Sequence, residues 1–177
     1  MSSERLKKMA GKVALSARIG YILVVIAVFL QSISLVWLTI MPNKFTKFFD
    51  KVRIYEPFIT DIKDNALTLF ELSSGIVAML FLFVILKKIE KIFISIKTDF
   101  SLHLVAQNIK LISLIFLLEG ISVPVMKIIA YTVFLKSDSP AGLFDISAVV
   151  ISLFLWYLGQ TIQTKSIEKE ENKGKAI

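Results

Sequence analysis

Four apolar runs, each long enough to cross a bilayer as a helix, limit this chain more than any other feature. A hydrocarbon core of ~30 Å takes about 20 helical residues. Residues 19–43 supply 25 uncharged residues in succession, and residues 65–86 supply 22, interrupted by Glu71 alone. Residues 111–135 carry Glu119 and Lys127, and residues 143–164 carry Asp145. The reading is an all-α, integral membrane four-helix bundle in one domain. A basic segment, 1–18, precedes it and a charged tail, 165–177, follows.

Composition narrows the chemistry. Hydrophobic residues make up 55% of the chain, and the charged ones gather beside the apolar blocks. There is no cysteine, which excludes disulfides and thiol chemistry. The one histidine, His103, cannot form a histidine metal cluster and is read as solvated or interfacial. A net charge of +7 would suit nucleic acid, but lysines flanking apolar spans record orientation and anionic headgroups instead. No nucleophile–base pair, phosphate loop or dinucleotide motif is present, and Glu119 lacks a second group to work against. The expectation is no enzyme, no cofactor, no metal and no nucleic acid.

Basic residues set the orientation. Residues 1–18, 87–110 and 165–177 hold fourteen Lys and Arg, against six in the two intervening loops. That asymmetry puts both termini in the cytoplasm. The first apolar run is too long for a signal peptide, and TIMPNKF offers no cleavage site, so it is expected to stay as an anchor.

Each run also carries a stripe of small and polar residues at steps of three, four and seven. In the first it is Gly20, Val24, Ala27, Gln31 and Ser34; in the second, Glu71, Ser74 and Ala78 with Gly75 alongside. The third has Ser113, Gly120, Lys127 and Tyr131, and the fourth Asp145, Ala148, Ser152, Trp156, Gly159 and Gln163. Within lipid, small residues allow close helix approach and polar ones bond across helices. Glu71, Lys127 and Asp145 all fall in the outer half of the bilayer. A charge at mid-bilayer costs ~2.5–3.5 kcal/mol or more, so Lys127 is expected to pair with one or both acids. Glu119 and Gln31 form a candidate polar site near mid-membrane.

Between the second and third runs lies KKIEKIFISIKTDFSLHLVAQNIKLIS. Ile89, Phe93 and Ile96 recur at helical spacing opposite lysines, which reads as an interfacial helix. Asp99 or Ser101 can cap a helix that starts near Leu102 and runs into the third span. This layout (a basic linker, Phe100-Ser101, then Asn108 leading into a span) resembles a bacterial family of small four-span membrane proteins. They share a domain of unknown function and are often encoded beside a helix-turn-helix regulator. LFDISAVVISLFLWYLGQTIQ followed by SIEKEENKGKAI is similar to that family's closing helix and acidic tail, apart from Gly174, Lys175 and Ala176. The resemblance carries no catalytic residues.

The expected function is that of a non-enzymatic accessory or regulatory protein of the bacterial inner membrane. Set in the lipid bilayer, it would engage a protein partner, or form a homo-oligomer, through residues 87–110 and the tail or through the bundle surface. The alternative is a small transporter or channel subunit using Glu119 and Gln31. The tail is expected to be disordered or a frayed helical extension.

Overall fold

A computed structural model of the chain describes residues 3–52, 65–98, 101–129, 132–133 and 146–174, with the side chains of residues 3, 50–52, 127 and 169–174 left aside. The described residues form five helices: α1 (Ser3–Ile40), α2 (Pro42–Val52), α3 (Asn65–Lys97), α4 (Leu102–Ile129) and α5 (Ile146–Gly174). Four of them, all but α2, are long and apolar enough to cross a membrane.

The helices overrun the apolar runs. At 1.5 Å per residue, the 38 residues of α1 reach about 57 Å, nearly twice a hydrocarbon core. The basic segment is thus the first part of α1, helical from Ser3. A seam explains why. Ala10, Ala14, Ala17, Tyr21, Val24, Val28, Gln31, Leu35 and Leu38 recur at alternating steps of four and three, and all are buried or half-buried. That spacing keeps one face against a neighbour from Ala10 to Leu38.

The neighbour is α3, antiparallel to α1. Gly11 lies against Lys97, Gly20 against Leu86 and Gln31 against Gly75. At the far end Leu38 shares an apolar cluster with Phe45 of α2 and Leu72 of α3. The break between α1 and α2 follows from Pro42, which has no N–H to continue the ladder and disfavours helix at Met41. Met41 instead closes α1 by donating to Trp37 O at 2.8 Å. Its own carbonyl accepts from Lys44 and Phe45 at 3.1 and 3.0 Å, starting α2. Phe45, Phe48 and Phe49 then stack around Trp37 with ring centroids 5.2–6.5 Å away. This fifth helix was absent from the sequence reading, although Pro42 at its first turn and phenylalanines at steps of three and four signal it.

On the other side α4 and α5 form a second antiparallel pair. Gly120 meets Ala148 and Gly159 meets Ala106 and Lys110. The two pairs join through α3 and α4, whose shared core is Ile85, Ile92, Val105 and Ile112. Among the described residues α1 and α5 share no extended contact.

One expectation changes here. Residues 87–97 are not a separate interfacial helix: they continue α3 to Lys97. Their apolar stripe, Ile89, Phe93 and Ile96, is used up in the core with Ile109, Ile115 and Leu155. The tail continues α5 as helix to Gly174, the helical extension that was one of its two expected forms. Between α3 and α4 the turn is short. The candidate cap Ser101 accepts from Leu104 N at its hydroxyl, 3.3 Å, and from Val105 N at its carbonyl, 3.1 Å, while Asp99 lies outside the described residues.

Candidate functional site

One end of the molecule gathers the start of α1, the close of α3, the start of α4 and the close of α5. It is the basic end, and several polar side chains bond between helices near it. On the α1–α3 pair, Arg18 Nε donates to Glu90 Oε1 at 2.7 Å. Glu90 is 8% exposed, and a carboxylate at such depth needs a counter-charge. One turn further along α1 and two along α3, Tyr21 and Phe83 meet edge to face at 5.7 Å. The Lys87 ammonium lies 5.9 Å from the Tyr21 ring centre and 5.0 Å from that of Phe83. Aromatic faces attract a cation and cover its stem.

The α4–α5 pair repeats the device with other residues. Lys110 Nζ donates to Gln160 Oε1 at 2.9 Å and also to Gln163 Oε1. It sits 5.4 Å from the Trp156 ring centre. Gly159 makes room, since a Cβ there would lie 2.8 Å from Lys110 Cγ. Deeper in the same contact, Ser113 and Ser152 bond across the helices, and both are buried. Asn108 is buried too, its amide donating to Leu104 O at 2.8 Å within α4. His103 is exposed, 2.8 Å from the Gln107 amide nitrogen.

The residues singled out from the sequence spread over different contacts. Gln31 is wedged into the α1–α3 contact, its amide against Gly75, with Oε1 buried and without a hydrogen-bond partner. Glu119 is half-buried on α4, beside the Gly120–Ala148 contact with α5. Glu71 is half-buried on α3. The expected pairing of Lys127 with Glu71 or Asp145 rests on the Lys127 side chain and on Asp145, both outside the described residues. Sequence reasoning missed the Arg18–Glu90 pair and the lysine clasps. Their one signal was position, since Arg18, Lys87 and Lys110 each border an apolar run.

Among the described residues no three His, Asp or Glu side chains gather in one place. What the basic end offers is cations fixed in place, each with donors left over, at the border of an apolar surface. That surface is broad: Ile19, Ile22, Val25, Ile26, Phe29, Ile33 and Val36 are exposed on α1, and Val150, Leu153, Phe154 and Tyr157 on α5. An apolar patch of that extent does not face water in soluble monomers.

The class so defined is an all-helical chain with four helices able to cross a membrane. Comparison with family models, curated proteins and solved structures returns no match for it.

Proposed function

We propose that the chain is a multi-pass protein of a bacterial cytoplasmic membrane, with the basic end in the cytoplasm. It acts non-enzymatically, as an accessory or regulatory subunit that holds a protein partner, or a second copy, at the inner leaflet. Membership of the small four-span family that the sequence resembles is part of this proposal. The observation that carries it is the surface of the helical extensions beyond the apolar runs. Leu6, Met9, Ile94, Leu104 and Ile167 are exposed there among lysines. Apolar side chains presented on a rigid polar extension suit a partner better than water.

The transporter reading draws less support. Gln31 and Glu119 belong to different helix pairs, and the Gln31 amide fills a helix contact rather than lining a space. Photocrosslinkers placed at Met9, Leu104 and Ile167 in native membranes test the proposal. A discrete protein adduct that disappears on Met9→Glu supports it. Adducts to lipid alone at all three positions would overturn it.

A further inference from the structure

Four residues at the border of the basic end form a rectangle. Arg18 and Tyr21 are one turn apart on α1, and Glu90 and Lys87 one turn apart on α3. The antiparallel register couples them crosswise: Arg18 to Glu90 at 2.7 Å, and Tyr21 to Lys87 at 5.9 Å from ring centre to ammonium. Glu90 takes only the Nε edge of the guanidinium. The Arg18 side chain remains 55% exposed, with Tyr21 as a second, weaker neighbour of its guanidinium. Lys87 is exposed as well, held over the rings of Tyr21 and Phe83. Two cations and one acid leave the rectangle at net +1.

Below each cation the same spacing recurs. From Arg18, steps of four, three and four reach Ile22, Val25 and Phe29, all exposed apolar residues on one face of α1. From Lys87, the same steps run through Phe83, Leu80 and Ile76 on α3, where Leu80 is exposed and Phe83 and Ile76 are half-buried. Two adjacent helices thus each present a cation at the head of an apolar stripe. A guanidinium fork and an ammonium match the non-bridging oxygens of a phosphodiester, and the stripes match an acyl chain.

We propose that this face of α1 and α3 binds one phospholipid whose headgroup phosphate is its only charge. The phosphate sits between Arg18 and Lys87, and a chain lies along Ile22, Val25 and Phe29. Glu90 is the positioning residue that fixes the guanidinium. A zwitterionic headgroup fits less well, because its ammonium would meet Arg18 and Lys87. The inference rests on the membrane reading above and deepens it.

Native mass spectrometry of the full chain, released from neutral detergent with phosphatidylglycerol or phosphatidylcholine added, gives the test. A single phosphatidylglycerol adduct is expected to outlast its phosphatidylcholine counterpart. Lys87→Gln should cut that preference roughly fivefold, the worth of one cation at a membrane surface. Lys87→Arg should restore it, and Arg18→Lys, which keeps the charge but loses the fork, should weaken it. Lys165→Gln removes the same charge elsewhere and should leave the preference unchanged. Equal losses for Lys87→Gln and Lys165→Gln would reduce the site to diffuse attraction and overturn the proposal. Displacement of the lipid by millimolar inorganic phosphate would overturn it in favour of a free-phosphate site. Failure of the membrane reading shows separately, as release of the chain from membranes by alkaline carbonate.

Discussion

Ser113 and Ser152 exchange hydrogen bonds across the α4–α5 contact: Ser113 Oγ donates to Ser152 O at 2.7 Å, and Ser152 Oγ donates to Ser113 O at 2.9 Å. The two backbones can come this close because both side chains are small, and Gly120 and Gly159 keep the same contact tight on either side. Each hydroxyl is buried, so each bond is made where water cannot substitute. Ser113→Ala or Ser152→Ala should each cost about 0.6–1.7 kcal/mol, the range for polar contacts between membrane helices. The double variant should cost less than the sum, because one close approach serves both bonds. Unfolding in detergent across the four variants measures that coupling; strict additivity would separate the two bonds.

The glycines should respond to alanine in opposite directions. At Gly159 a new Cβ would lie 2.8 Å from Lys110 Cγ and 3.3 Å from the Ala106 carbonyl, and backbone does not yield easily. Gly159→Ala should therefore destabilise by about 1–3 kcal/mol. At Gly11 the nearest atoms belong to the Lys97 side chain at 3.6 Å, ordinary contact distance. There the gain in helix propensity, up to about 1 kcal/mol, should prevail. A thermal shift of the same sign for both variants would contradict these contacts.

Arg18 and Glu90 should prove unequal partners. Arg18→Ala leaves a buried carboxylate without its counter-charge and should destabilise clearly. Adding Glu90→Gln to that variant removes the charge and should recover part of the loss. Unfolding midpoints of the single and double variants in one detergent decide it. No recovery would mean that Glu90 is satisfied by other groups.

Orientation can be read by thiol labelling in a chain that has no native cysteine. Thr98 lies exposed in the α3–α4 turn, and Asn43 lies exposed at the start of α2, at opposite ends of the molecule. Asn43→Cys should react with an impermeant reagent in intact cells, and Thr98→Cys only after the membrane is opened. Ser166 would mislead as a reporter, because it is buried. Labelling at Thr98 but not Asn43 would invert the topology.

The sequence alone determined the four long helices, because a helix is held by bonds four residues apart and its apolar length is written along the chain; α2 and the continuation of α3 to Lys97 were not read from it. The four long runs, a cap at Asp99 or Ser101, and the small faces at Gly20, Gly120, Ser113 and Ser152 were all legible in this way. What it could not determine was which face meets which. Ile89, Phe93 and Ile96 make an amphipathic stripe that would serve a lipid surface as well as a neighbouring helix, and only the tertiary structure seats them against α4 and α5. The same holds for Arg18 and Glu90, 72 residues apart, and for Lys110 with Gln160 and Gln163. Periodicity fixes the direction in which a side chain leaves its helix; the partner depends on contacts between distant segments, where burial and charge compensation act on the fold as a whole.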